Sequence, residues 1–322
     1  MKAPRFFLIH FFLLLLLCMS QLAMSQNGFK IIPLGVKGGL DESNLSAYLV
    51  AAAGTNDYIC LDAGTINSGL QKAAQQNLFL EKDATLIQKK YIKGYFISHA
   101  HLDHVAGLIL NAPNDGPKNI YGFASVIDVL KNNYFTWKSW ANFASEGDKP
   151  ILNKYTYNYL LPSKEQVIPN TTLTVTPYPL SHVSPYESSA FMVKNKDRYL
   201  LYLGDTGADS VELSNSLHAL WEVAATKIKL NQLKAIFIEV SFDNSMPNKS
   251  LFGHLTPHLL MEELNVLNKL SNGGLKQVKI FVTHIKPCEN CEATIKSQIN
   301  KENVLGLSIQ YPEQGKLIEL TY

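Results

Sequence analysis

Gly94-Tyr95-Phe96-Ile97-Ser98-His99-Ala100-His101-Leu102-Asp103-His104 runs from an apolar, aromatic strand straight into three imidazoles and a carboxylate. Imidazole nitrogen and carboxylate oxygen are the donors that zinc and related divalent ions take. The two-residue spacing lets His99 and His101 point from one side of an extended segment, while Asp103 and His104 face a second ion. A lone histidine is more often a packed or surface residue than a ligand. Four such groups crowded past a buried strand carry a desolvation cost that only a shared partner offsets.

Working outward, short β-branched and aromatic runs recur at Phe29–Leu34, Tyr48–Ala51, Tyr58–Leu61, Leu173–Val175, Ala190–Val193, Tyr199–Leu203, Ala235–Val240 and Lys279–Thr283, and they predict strands. Between several of them lie helical spacings, the clearest over Pro257–Leu270. There Leu260, Leu264 and Leu267 share a face, Thr256 is the N-cap, Pro257 opens the helix and Gly273-Gly274 follow it. Strands alternating with helices predict an α/β fold. Three further ligand types stand at strand ends: His182 beyond Leu173–Val175 and the turn Pro177-Tyr178-Pro179, Asp205 in Gly204-Asp205-Thr206-Gly207, and His284 after Lys279–Thr283. A carboxylate flanked by glycine can approach two ions and bridge them.

H-x-H-x-D-H followed by His, Asp and His at strand ends resembles the metallo-β-lactamase superfamily, which implies a four-layer αββα sandwich with metals at its rim. Asp62, in Leu61-Asp62-Ala63-Gly64-Thr65, matches that superfamily's early Asp, which braces the metal loop. The fifteen residues His99–Pro113 are similar to the signature of the class II cyclic-nucleotide phosphodiesterases, as are Leu34–Ser46 and Met246–Pro257. The resemblance runs from about residue 28 to the C-terminus, with no departure at a metal-ligand position.

That resemblance implies hydrolysis of 3′,5′-cyclic AMP, with cyclic GMP as a second substrate, to the 5′-nucleotide by hydroxide activated between two divalent ions, expected to be Zn2+. It assigns His99, His101 and His182 to one ion, Asp103, His104 and His284 to the other, and Asp205 to both, with Asp103 counted among the catalytic groups as well. His254 is the candidate acid for the departing 3′ oxygen, at the N-terminus of the 257–270 helix, whose dipole lowers the pKa of a nearby imidazole. His254 in Gly253-His254-Leu255-Thr256 resembles the proton-donating motif of the transfer-RNA 3′-processing endonucleases, with Glu239 placed as their assisting carboxylate. Gly39 and Asn44 are candidate nucleotide contacts. The aromatic stretch Tyr121–Leu160 offers rings to stack on a purine, to bury one another, or to form a homodimer contact. His218 and His258 read as surface residues. Other hydrolases of the same scaffold (lactonase, β-lactamase, RNA-processing nuclease) and a secreted non-catalytic nucleotide-binding protein remain open alternatives.

The chain has 322 residues with 29 Lys+Arg against 27 Asp+Glu. Met1, Lys2 and Arg5 precede an apolar run over residues 6–17, and Ala23-Met24-Ser25 closes it, which predicts a secretory signal over residues 1–25. The run is shorter than the roughly 20 residues a spanning helix needs. Loss of Lys2 and Arg5 leaves a formally neutral chain, residues 26–322, read as one metallo-hydrolase domain. Without a basic surplus, a large nucleic acid is a poor substrate; a small cyclic nucleotide is the expected ligand, with no membrane partner after cleavage and a periplasmic or secreted location. Cys288 and Cys291 could pair there.

Overall fold

The computed structural model describes residues 27–183 and 186–321. The expected signal segment, residues 1–25, lies outside them. Fourteen strands among the described residues form two seven-stranded sheets. The first contains β1 (Gly28–Gly35), β2 (Ala47–Ala52), β3 (Tyr58–Leu61), β4 (Ile92–Phe96), β5 (Lys118–Gly122), β6 (Tyr155–Tyr159) and β14 (Ile318–Thr321), in the order β14-β1-β2-β3-β4-β5-β6. The second contains β7 (Gln166–Val167), β8 (Leu173–Ser181), β9 (Glu187–Asn195), β10 (Arg198–Leu203), β11 (Leu233–Glu239), β12 (Lys279–Thr283) and β13 (Ser308–Gln310), in the order β13-β12-β11-β10-β9-β8-β7.

Period-two alternation sorts the side chains into layers. From β1 and β2, Phe29, Ile31, Tyr48 and Val50 face the opposing sheet, where Val175, Phe191, Val193, Tyr202 and Phe237 meet them in a closed inner core. The alternate residues Ile32, Leu34, Ala47 and Leu49 face helices α1 (Asn67–Gln75), α2 (Ala84–Tyr91), α3 (Leu102–Asn111) and α4 (Ala124–Val129). On the far side Met192, Leu201, Ile236, Ile238 and Ile280 pack under α5 (Asp209–Glu212), α6 (Ser216–Lys229), α7 (Pro257–Leu270) and α8 (Cys291–Glu302). Three apolar layers between four layers of structure make the αββα sandwich. Among the described residues no helix is long and apolar enough to cross a membrane.

The expected α7 has its stated bounds, with the Thr256 hydroxyl accepting from Leu259 N. One local expectation fails: Pro177-Tyr178-Pro179 is no turn but lies inside β8. Both prolines keep their nitrogens away from β9, and β7 has already ended where they stand, since it pairs only with Thr174 and Val175. An edge position tolerates the missing N–H. The aromatic stretch is chiefly structural: Phe135 packs on Phe143 and Tyr155, Tyr121 stacks on Phe96, and Tyr155–Tyr159 is strand β6. Trp137 and Tyr159 stay exposed. Cys288 and Cys291 form a disulfide, and Cys60 is free and buried.

Candidate metal centre and active site

β8 and β10 both run antiparallel to β9, and β10, β11 and β12 are mutually parallel, so these four strands point one way. Their C-terminal ends deliver His182, Asp205, Glu239 and His284 to one rim. β4 delivers the 99–104 loop to the same rim from the other sheet. Gly204, packed against Ser98, marks where the two sheets close: a Cβ there would stand 2.4 Å from the Ser98 Cβ.

All seven expected ligands converge. His99 Nε2 lies 3.1 Å from His101 Nδ1, which lies 3.3 Å from His182 Nε2. His284 Nε2 lies 3.2 Å from both His104 Nε2 and Asp103 Oδ2. Asp205 stands between the groups, with Oδ1 3.2 Å from His104 Nε2, and Oδ2 3.3 Å from His284 Nε2 and 3.8 Å from His99 Nε2. Donors bound at about 2.0–2.2 Å around one tetrahedral ion stand about 3.3–3.6 Å apart. The spacing and the donor chemistry both fit a pair of divalent ions, one among His99, His101 and His182 and one among Asp103, His104, Asp205 and His284.

Buried bonding aims these ligands. Asp62, fully buried, accepts from Ser98 N at 2.7 Å, Ser98 Oγ at 2.8 Å and Tyr202 OH at 2.7 Å, and pairs with His104 Nδ1 at 2.8 Å. Its backbone sits at φ 54°, and His284 and Val183 are also at positive φ (56° and 53°), a strained conformation that a β-branched residue such as Val183 rarely takes. His182 Nδ1 bonds Gly253 O at 2.8 Å, and Tyr186 stacks on His101 with centroids 4.7 Å apart. Gly38 packs on the His284 ring so closely that a Cβ would fall 2.3 Å from its Cε1.

The expected nucleotide contacts have work within this loop. The Gly39 amide donates to Asp103 Oδ2 at 2.8 Å, and Asn44 Oδ1 accepts from Val36 N at 3.1 Å. His218 is half-buried on α6, with its ring beside Glu222, and His258 lies exposed on α7.

Charge is unevenly held. Burial, reinforced by the imidazoles of His104, His182 and His101, holds His99 well below the ordinary histidine value. His101 falls to about 4 through burial and the neighbouring His182. At His104 burial pulls down, but Asp205, Asp62 and Asp103 more than offset it and push the imidazole well up. Asp205 is buried, which alone would raise it, yet His284 and His104 hold it well below the usual carboxylate range. The lowered His99 and His101 stay neutral near pH 7, the form in which an imidazole binds a metal ion.

Beside it lies a second constellation. His254 Nδ1 bonds Glu239 Oε1 at 2.7 Å; Glu239 also accepts from Ser241 Oγ at 2.6 Å and Thr206 N at 3.1 Å. His254 could equally join His182 and Asp205, or Glu239 and His284, as a ligand cluster, but its Nδ1 is taken by Glu239. The helix-dipole expectation for His254 is overturned: burial does lower it, yet Glu239, with Asp205 behind it, raises its pKa overall. An adjacent carboxylate outweighs the partial charge of a helix end. Ser98 and Tyr202, which bond Asp62, and Ser241, Tyr186 and Lys286 carry no local sequence signal. They are ordinary residues until the sheets close around them.

The family described as cAMP phosphodiesterases class-II matches residues 28–315. The chain belongs to it. This phosphodiesterase is 41% identical to the 3′,5′-cyclic-nucleotide phosphodiesterase of Aliivibrio fischeri, over 94% of its own length and 96% of the relative's. It is 28% identical to the cAMP/cGMP-dependent 3′,5′-cAMP/cGMP phosphodiesterase A of Dictyostelium discoideum, over 88% of its own length and 79% of the relative's. Unliganded yeast PDE1 superposes with a TM-score of 0.79 at 24% identity, covering 91% of this chain and 100% of that one. The metallo-β-lactamase-fold protein YhfI of Bacillus subtilis does so with 0.61 at 15% identity, over 91% and 99% of the two chains. Together with the sheet order, these likenesses bear out the metallo-β-lactamase-like sandwich.

Proposed function

We infer that the protein hydrolyses the 3′,5′-cyclic phosphodiester of cyclic AMP to the 5′-nucleotide, using two zinc ions held by His99, His101, His104, Asp103, His182, Asp205 and His284. The observation that carries the reading is the convergence of these seven donors beside the Glu239–His254 pair in a class II phosphodiesterase. The preponderance of imidazole over carboxylate favours zinc over magnesium.

When bound, such ions supply Lewis acidity, activate a water near neutral pH and offset negative charge on the phosphoryl oxygens. The protein's own groups do the rest. Asp62 fixes the tautomer of His104 through Nδ1, and the Gly39 amide orients Asp103. Glu239 holds His254 by Nδ1, leaving Nε2 to serve the departing 3′ oxygen as its acid. Purified protein should hold two ions by elemental analysis and convert cyclic AMP to 5′-AMP; zinc-replete protein that cleaves nitrocefin and leaves cyclic AMP intact would overturn the reading.

Export to the periplasm or the exterior is part of the same proposal. It is supported by the charged and apolar residues 1–25 and by the Cys288–Cys291 disulfide, a bond suited to an oxidising compartment. A cell fractionation that finds the protein only in the cytosol would sink it.

A further inference from the structure

Lys286 is half-buried two residues past His284, and its Nζ stands 3.0 Å from His254 Nε2. The same ammonium lies over the Phe242 ring, 5.0 Å from its centroid, while Phe242 sits edge-on to His254. A cation held against an aromatic face is fixed in place.

The arrangement poses a problem of donors. An ammonium can only donate, so Nε2 accepts from it when no substrate is present. With Nδ1 committed to Glu239, Nε2 is the one imidazole atom left to face a substrate. To protonate an oxygen, Nε2 must itself carry a proton, and then two donors confront each other at 3.0 Å. An acceptor that takes a hydrogen bond from each resolves that, and a departing oxygen that gains negative charge is such an acceptor.

We propose that Lys286 is a further catalytic residue, which together with His254 binds the 3′ oxygen of the cyclic nucleotide as that oxygen leaves. This rests on the phosphodiesterase reading above. In the step a water oxygen bonds to phosphorus and the bond from phosphorus to the 3′ oxygen breaks. The electron pair stays on the 3′ oxygen, which takes the proton from His254 Nε2; the imidazole gains that proton from solvent when the 3′ oxygen replaces Nε2 as the acceptor of the Lys286 ammonium. The proton given up by the water passes to solvent, so one water is consumed. The Lys286 charge faces the 3′ oxygen while the negative charge grows.

The test compares Lys286→Met and Lys286→Arg with wild-type protein on cyclic AMP and on bis(p-nitrophenyl) phosphate. A nitrophenolate carries its own charge and needs neither donor. Lys286→Met should lower kcat for cyclic AMP by about 10²- to 10³-fold, the range for losing one donor to a developing oxyanion, with KM and bis(p-nitrophenyl) phosphate turnover little changed. Lys286→Arg should recover part of the loss, and elemental analysis should find two ions in every variant. An equal loss on both substrates, a rise in KM with kcat intact, or loss of an ion in Lys286→Met would overturn the assignment. Wild-type protein that holds both ions and leaves cyclic AMP uncut overturns the phosphodiesterase reading itself, before any variant is made.

Discussion

The two sheets feed the same cavity in different ways. The first supplies four of the proposed ligands from one short segment beyond β4, His99 and His101 in the loop and Asp103 and His104 in the first turn of α3; the second supplies single ones, His182, Asp205 and His284, from β8, β10 and β12. In the loop, short-range chain geometry sets the spacing, and Asp62 clamps it from beneath through Ser98 and His104. In the second sheet no ligand knows the others except through strand pairing. Parallel strands in register carry their ends to one rim, and a carboxylate at the central end, Asp205, reaches both groups. The loop is therefore a local device and the strand ends a cooperative one.

The largest effect should come from the residue that joins the two. Asp205→Ala removes the bridge, and we expect loss of at least one ion by elemental analysis, with cyclic AMP turnover falling to the level of metal-free protein. Retention of both ions would show that loop and strand ends bind independently.

His254→Gln should keep both ions and slow cyclic AMP hydrolysis about 10²- to 10⁴-fold. The pH profile sharpens this. Burial lowers the His254 pKa, but Glu239 and Asp205 lift it overall. The acid is therefore present below that raised value, and kcat declines as pH rises through it. Glu239→Gln should shift this alkaline decline to lower pH, and His254→Gln should abolish it.

Asp62→Asn tests the loop's clamp. Such supporting partners are worth about 10- to 100-fold in metal affinity, so the variant should bind zinc more weakly by that factor in a competitive chelator titration, with the fold that carries His182, Asp205 and His284 unaltered by circular dichroism. Unchanged affinity would mean the loop is held by its own geometry alone.

The smallest effect concerns the helix layer behind the strand ends. Glu263 on α7 accepts from Trp221 Nε1 on α6 at 2.9 Å and from Asp209 N at 3.1 Å. Burial raises its pKa above the ordinary glutamate value despite those bonds. A folded state that binds the proton more tightly loses stability as pH rises from the unfolded-state value, about 4.3, through the raised folded one. Glu263→Gln should flatten that part of the pH dependence of thermal unfolding relative to wild type; an unchanged slope would show that Glu263 stays ionised when buried.

Much of this was legible because the relevant chemistry is local. Nine strands were marked by β-branched and aromatic runs, among them Tyr58–Leu61 and Lys279–Thr283 with the bounds they have in the structure. β5, β6, β7, β13 and β14 were missed. Gln166–Val167 and Ser308–Gln310 are too short to show a period, and Tyr155–Tyr159 reads as aromatic packing as readily as strand. The doubled proline of β8 misled because proline's missing donor matters only where a neighbouring strand needs it.

By itself the sequence determined the inventory: which residues carry metal-binding nitrogen and oxygen, that they follow strands, and that His254 precedes a capped helix. Those properties depend on side-chain chemistry and on neighbours within a few positions. Only the tertiary structure decided how closely those donors approach one another, that Glu239 rather than a helix dipole governs His254, and that Lys286 meets His254 from thirty-two residues away. Distances of about 3 Å between groups so far apart in the chain are set by the closing of two sheets on a common core, and no window of sequence contains that closure.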